Sequence, residues 1–194
     1  MTADVRPVSA EDLAALGSRW PAHDVWDGHA ARAAAGEATF LAAWLDDDPV
    51  GVALVQWEGC VGAAARTAHP DAVEINHLHV RDGHRGARIG TGLIDHAERL
   101  ASARGVARTV LAVEDDNQAA RGLYLRLGYR PTGVFDECAY SYLDDHGVER
   151  RASERSESLI KDLGGVSSPD QGVARRSQMA TLVPPRPVGG IKKP

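Results

Sequence analysis

The sequence predicts one α/β (α+β) domain over residues 1–163, a sheet of about six or seven strands flanked by helices. Three observations carry that expectation. Short runs rich in β-branched and apolar residues recur along the chain, as in "PVGVALVQWEG" and "AVEINHLHV". Stretches with apolar residues at helical spacing lie between them. Turn-forming residues join some of the runs into hairpins. From about Gly164 the periodicity ends. Residues 164–194, "GGVSSPDQGVARRSQMATLVPPRPVGGIKKP", are rich in Gly, Pro and Ser and read as a disordered tail, with a partner-binding segment around "VPPRPV" as the alternative.

The elements follow in order. "VRPV" (5–8) is a short extended segment, and "SAEDLAALGSRW" opens a helix with Ser9 as its candidate N-cap. "GHAARAAAGE" (28–37) is Ala-rich and reads as a second short helix. "ATFLAAWL" (38–45) and "PVGVALVQWEG" (49–59) flank the acidic turn "DDDP" and read as a hairpin with a longer loop. "AVEINHLHV" (72–80) is another strand. After Gly90, Leu93, Ile94, Ala97, Leu100 and Ala101 fall at helical spacing, and that helix should stop near "ARG" (103–105). "ARTVLAV" (107–113) is a strand. "NQAARGLYLRLGY" (117–129) is helical, with Ala120, Leu123, Tyr124 and Leu127 on one side and Gly128 as a stop. "ECAYSYLD", the turn "DHG" and "VERRAS" read as a long hairpin, and "SESLIKDL" (156–163) as a last strand.

Composition excludes several classes. Hydrophobic residues make up 43% and charged residues 25%, both ordinary for a globular domain. A net charge of −5 argues against a general nucleic-acid binder. No apolar run reaches the length of a membrane span, and the start lacks the pattern of a signal peptide. Cys60 and Cys138 are too few for a disulfide framework. The expectation is a cytoplasmic enzyme with reduced thiols.

"HVRDGHRGARIGTGL" (79–93) holds the chemistry-bearing loop. Gly86, Gly90 and Gly92 fall within seven residues, and glycine costs order wherever it sits. Strand, glycine-rich turn and helix together place free backbone N–H groups at a helix N-terminus, an anion site by geometry and dipole. Arg85 and Arg88 add positive charge. An ordinary tight connection is the alternative. The loop is not a Walker loop, since no Gly-Lys-Ser/Thr follows, nor the fingerprint of a dinucleotide fold.

Residues 74–92, "EINHLHVRDGHRGARIGTG", resemble the acyl-CoA-binding segment of the GNAT superfamily of N-acetyltransferases. The family's loop motif, Arg/Gln-x-x-Gly-x-Gly/Ala, falls on Arg85, Gly86, Ala87, Arg88, Ile89 and Gly90, with Thr91 beside it. A second landmark, Asn-x-x-Ala before an apolar-Tyr pair and a Gly-aromatic pair, falls on Asn117, Ala120, Leu123–Tyr124 and Gly128–Tyr129. One departure stands at Arg88, where the family has a glycine. An arginine would be strained there if a positive φ were needed. The reading taken is that the position tolerates a side chain whose guanidinium reaches a phosphate.

The resemblance implies a mixed, mostly antiparallel sheet splayed at the coenzyme site, with acetyl-CoA as cosubstrate. It implies that the backbone near Leu78, His79 and Val80 binds the pantetheine arm and stabilises the oxyanion. It also implies Tyr124 as general acid for the leaving thiolate and Asn117 as a ligand of the pantetheine, helix capping being the alternative for Asn117. Glu74 is the first candidate for the base, with His77 and His79 as rivals. Their alternate spacing places the two histidines on the strand face opposite Glu74 if no bulge intervenes. As a metal pair they lack a third ligand, so no metal is expected. The acceptor is an amine of a small molecule or a protein. Acidic clusters at Asp24 and Asp27, Asp46–Asp48, Asp115–Asp116 and Asp136–Glu137 either steer a cationic amine or are ordinary acidic surface. A homodimer is left open. The rival classes are a non-catalytic acyl-CoA sensor of the same fold and a phosphate-binding regulatory domain unrelated to CoA.

Overall fold

The computed structural model describes residues 2–20, 25–143 and 149–164, with side chains given outside 138–152. Its strands are β1 (Asp4–Pro7), β2 (Ala38–Leu45), β3 (Asp48–Gln56), β4 (Ala72–Val80), β5 (Arg108–Glu114), β6 (Arg130–Leu143) and β7 (Glu149–Asp162). Its helices are α1 (Ala10–Arg19), α2 (Val25–Ala34), α3 (Ala63–Ala68), α4 (Ile89–Ala103) and α5 (Gln118–Arg126). The strands form one seven-stranded sheet in the order β1-β2-β3-β4-β5-β7-β6. Every neighbouring pair is antiparallel except β4 and β5.

Alternation along the strands separates two faces. Phe40, Ala42, Trp44, Val52 and Leu54 face α1 and α2, where they bury Leu16 and Trp26. Leu41, Ala43, Ala53, Val55, Val73, Ile75 and Leu111 face the other way, against Leu93, Ile94 and Ala97 of α4 and Tyr124 of α5. α3 lies on the α1/α2 side, where Ala65 packs with Cys60, Ala72, Val110 and Ile160. Ser9 caps α1 in a capping box: its hydroxyl accepts from the Asp12 N–H at 3.1 Å and the Asp12 carboxylate accepts from the Ser9 N–H at 3.0 Å.

The structure changes four sequence expectations. The acidic turn is tight, since Leu45 pairs with Asp48 and only Asp46 and Asp47 remain between them, Asp46 at φ +53°. α2 begins three residues before the expected start, so that Trp26 and His29 reach Phe40. The last strand is no separate element: "SESLIKDL" continues the second arm of one long hairpin, paired with β6 from Glu149 to Ile160. α3 was not expected, because "AAARTA" is too short to show a period. The "DHG" turn, Asp24 and residues 165–194 lie outside the described residues.

Gly51 sets how closely α4 approaches the sheet. A Cβ built there stands 2.8 Å from Ile89 Cγ2 and 3.0 Å from Leu93 Cδ1. Leu93 is fully buried, so neither atom has room to yield. Gly51→Ala is therefore expected to destabilise by about 1–3 kcal/mol through overpacking, read as a lower urea midpoint. Gly17→Ala on α1, where a new Cβ meets nothing within 4 Å, should instead raise the midpoint by up to about 1 kcal/mol in equivalent stability. An unchanged midpoint for Gly51→Ala would contradict this packing.

Candidate active site

β4 and β5 pair only over Ala72–Glu74 against Arg108–Val110. Beyond those three pairs the strands diverge and leave a cavity of about 430 Å³, lined from both by Glu74, Asn76, Leu78, Ala112 and Glu114, and from α5 by Tyr124. β5 stays paired with β7 along its other edge to Glu114. β4 keeps β3 on its far side, with one interruption. Between the pairs Leu54–Asn76 and Val52–His79, β3 advances by two residues and β4 by three. The extra residue is a bulge, and His77 takes φ +48° within it.

That bulge corrects the expected facing of the histidines. It turns Leu78 and Val80 toward the α4 side, packed against the core that contains Ile75. His79 moves to the Glu74 face, its ring 5.4 Å from that of Trp20. The His77 ring stands 4.5 Å from the ring of His29 on α2. Both rivals to Glu74 thus share its side of the sheet. Burial lowers the pKa of each, assisted by Arg32 at His77 and by Arg85 at His79, so both are neutral at pH 7.

Glu74 lies at the closed end of the gap and is 4% exposed. Its carboxylate accepts a hydrogen bond from the Val61 N–H at 2.7 Å. Burial lifts its pKa to about 7, with Asp136 adding to the rise and the Val61 bond and Arg66 opposing it. Cys60, next to it, is buried, and burial pushes its thiol to about 12, which leaves it inert as a nucleophile.

Tyr124 reaches the cavity from α5 and is 6% exposed. Burial, with Glu114 adding, raises its phenol to about 12, so it keeps its proton across neutral pH. Asn117 lines the cavity and also caps α5, its side chain accepting from the Ala120 N–H at 3.1 Å. Capping is thus an observed use of that oxygen.

The glycine loop places Gly83 at φ +84° and Gly86 at φ +80°. Arg88 stands in the left-handed region at φ +62° and ψ +13°, directly before α4. The departure from the family's glycine therefore falls where a side chain costs about 1–2 kcal/mol. Arg88 gives α4 no side-chain cap and its first turn holds no acidic residue, so among the described residues no side chain is seen to cap the N–H groups of Ile89, Gly90 and Thr91. Ala87 and Arg88 are exposed beside them. Arg85 is exposed and already paired with Asp82 at 3.0 Å. Gly90 brings α4 against Leu123 of α5, 3.5 Å from where its Cβ would stand.

Three members of the acidic clusters singled out in the sequence have other partners. The Asp136 carboxylate accepts from the N–H groups of Ala64 and Ala65 at 2.8 and 3.0 Å, where it caps α3. Asp115 pairs with Arg155 and Asp48 with Arg19. Among the described residues, the carboxylates that line the cavity are Glu74, Glu114 and Glu154. Of these, sequence reasoning found only Glu74. Among the described residues no three His, Cys, Asp or Glu side chains stand together as a metal site, and no helix is long and apolar enough to cross a membrane.

Comparison with known proteins fits this geometry. A streptothricin acetyltransferase of Streptomyces lavendulae is 32% identical over 129 residues, 66% of this chain and 59% of its own length. A mycothiol acetyltransferase of Beutenbergia cavernae is 36% identical over 93 residues, 47% of this chain and 31% of its own length. The chain thus spans less than two thirds of either relative. A phosphinothricin acetyltransferase from Sinorhizobium meliloti, solved in complex with AcCoA, superposes with a TM-score of 0.61 at 19% identity, covering 89% of this chain and 96% of that one. Residues 6–129, well over half of the chain, match the family profile described as Acetyltransferase (GNAT) family. With the splayed β4–β5 pair, the uncapped α4 N-terminus and that match in hand, the chain belongs to the GNAT acetyltransferase family.

Proposed function

We propose that the chain is an N-acetyltransferase that moves the acetyl group of acetyl-CoA onto an amine by direct attack in a ternary complex. The observation that carries the proposal is the gap between β4 and β5. One of its walls is a strand edge without ladder partners beyond Glu74, and the glycine loop leads from the end of β4 to the uncapped α4 N-terminus. Those residues fit the coenzyme. N–H groups at Ile89–Thr91 suit its phosphates, with Arg88 beside them. Free peptide groups over Ile75–Val80 suit its amide-bearing arm. Acetyl-CoA supplies the activated thioester. Acetyl transfer by the named relatives supports the same reading.

The roles of this chain's residues follow from their surroundings. As the C–N bond forms and the C–S bond breaks, negative charge gathers first on the carbonyl oxygen and then on sulfur. An N–H in the bulged stretch near Leu78, aimed into the gap, stabilises the oxygen without any side chain. Tyr124, protonated at neutral pH, donates to the sulfur. Glu74 takes the amine's proton. An alkylamine titrates near about 10, so a carboxylate at the ordinary 4.5 would be mismatched by roughly six units, or about 8 kcal/mol. At about 7 the mismatch falls to roughly three units. Burial thus makes Glu74 a far better base than an exposed glutamate.

Two variants test these roles. Tyr124→Phe keeps the ring and its packing while removing the phenol. We expect kcat to fall by at least about 10²-fold at saturating acetyl-CoA with little change in Tm. Near-normal kcat with a lowered Tm would leave Tyr124 a packing role only.

Glu74→Gln is read through pH. The base form of Glu74 is populated above pH 7, so kcat/KM should rise through about pH 7 in the wild type. That limb should disappear in the variant. In stability Glu74 works the other way: the folded state holds its proton more tightly than the unfolded one, so this group costs about 3 kcal/mol as pH rises from 4.5 to 7. The histidines oppose it, His29 above all, since their lowered pKa adds stability over the same range. Glu74→Gln, which can still accept from Val61, should remove that cost, so the stability of the variant relative to the wild type should rise by about 3 kcal/mol from pH 4.5 to 7. Matching pH profiles for the two proteins would contradict both the role and the shift.

A further inference from the structure

We infer that Asp136, on β6, is a positioning residue for the reaction: through the loop that leads into α3 it fixes the Glu74 carboxylate and decides which of its oxygens is left for the amine. The inference rests on the reading of Glu74 as the base and adds the group that holds it in place.

The sequence sets up the need. α3 has six residues and follows "CVG", which offers no Ser, Thr, Asp or Asn to cap it. The cap comes instead from Asp136, 71 residues beyond Ala65. One carboxylate oxygen accepts from the Ala64 N–H at 2.8 Å and the other from the Ala65 N–H at 3.0 Å. Gly62 makes this possible by its size. Its φ of −64° is open to any residue, but a Cβ built there would overlap Asp136 Oδ2. What glycine supplies at this position is room for a carboxylate.

The same loop serves Glu74. The Val61 N–H, one peptide before Gly62, donates to Glu74 Oε2 at 2.7 Å. Arg66 of α3 donates back to the Cys60 carbonyl at 2.7 Å, and Cys60 and Ala65 are buried with Ala72 and Val110 at the closed end of the gap. Residues 61–65 therefore form a bridge with a carboxylate at each end, Glu74 on Val61 and Asp136 on Ala64 and Ala65. With Oε2 taken by Val61, no donor among the described residues reaches Oε1, and Glu74 lines the cavity. Oε1 is the oxygen the geometry leaves for the amine's proton. A tie at Oε2 removes side-chain freedom in advance, so the base is already aimed when the amine arrives.

Asp136 also acts by charge. A second carboxylate on the same loop resists ionisation of Glu74, while the Val61 bond, the stronger of these two influences, favours it, as does Arg66. The other titratable groups around Glu74 among the described residues are Cys60 in the loop and Arg32 of α2, which donates to the Gln56 side chain at 2.7 Å. His77 on β4 lines the same cavity, as do Glu114 and Glu154, which have partners of their own. Removing the charge of Asp136 and removing its hold on the loop should thus move Glu74 in opposite directions.

The test titrates Glu74 itself in the full chain, by carboxyl carbon NMR of glutamate-labelled protein, with the signal assigned by its loss in Glu74→Gln. The wild-type midpoint should lie at about 7. Asp136→Asn keeps the shape of the side chain and one acceptor oxygen but removes the charge, so the midpoint should fall by at least about 0.3 of a pH unit. Gly62→Ala keeps the charge but evicts the carboxylate from α3, which frees the loop and weakens the Val61 bond, so there the midpoint should rise. An unmoved midpoint in Asp136→Asn overturns the inference, and that variant decides alone if Gly62→Ala folds poorly. A fall in both variants overturns it too, since Asp136 would then act by charge without holding the loop. The rate of thiol release from acetyl-CoA with butan-1-amine, followed against pH on the same proteins, should show its rising limb move with the NMR midpoints. Midpoints that shift beneath a limb that stays fixed overturn Glu74 as the base, and the part of Asp136 in the reaction with it.

Discussion

Three residue pairs join the two halves of the sheet, Ala72, Val73 and Glu74 on β4 against Arg108, Thr109 and Val110 on β5. Each half is otherwise well tied: β4 to β3 along its other edge, β5 to β7 over seven pairs. The seam can therefore open without loosening either side. At its closed end it is pinned by a small buried cluster, Cys60, Ala65, Ala72, Val110 and Ile160, in which α3 acts as a clasp. At its open end Tyr124 and the bulged stretch of β4 stand across the gap from one another. A fully paired β4 and β5 would have no cavity, no unpartnered strand edge and no reason to hold a carboxylate at the apex.

The elements around the seam are fitted to it at some cost. Gly51 lets α4 lie close on β3, which fixes where its first turn points. Arg88 accepts a left-handed backbone just before that turn, a strain glycine would avoid. His77 accepts another within the bulge. Strained backbone beside an uncapped helix and an unpaired strand edge is the pattern of a site shaped for a ligand. The buried Glu74, held near neutrality by desolvation, belongs to the same pattern, since a free carboxylate would be more stable in water.

Much of this was legible in the sequence, and the parts that were not share a cause. α4 and β4 announce themselves through local periodicity, Leu93, Ile94, Ala97 and Ala101 on one face and "AVEINHLHV" as an apolar run. The glycine loop and the Asn117 cap were readable because turn and cap chemistry is local. The facing of His77 and His79 was not, because a single bulged residue flips every later side chain and leaves no mark in the pattern. The merging of "SESLIKDL" into β7 was hidden by the charged stretch "VERRASERSE", which carries little apolar alternation. Glu114 and Glu154 were missed for a further reason: what makes them neighbours is the register of β5 on β7, fixed by contacts some 40 residues apart in sequence. Asp115 and Asp136, from the acidic clusters that did stand out, are spent on Arg155 and on α3.

The central claim is that the open edge of β4 and the α4 N-terminus together receive acetyl-CoA. Amide hydrogen exchange measures it directly, residue stretch by residue stretch. With saturating acetyl-CoA, exchange should slow over Ile75–Val80 and over Ile89–Thr91, while the edge strand Asp4–Pro7 is unchanged; ATP should slow the second stretch alone. Unaltered exchange at Ile75–Val80, or slowing there that ATP reproduces, would contradict the account.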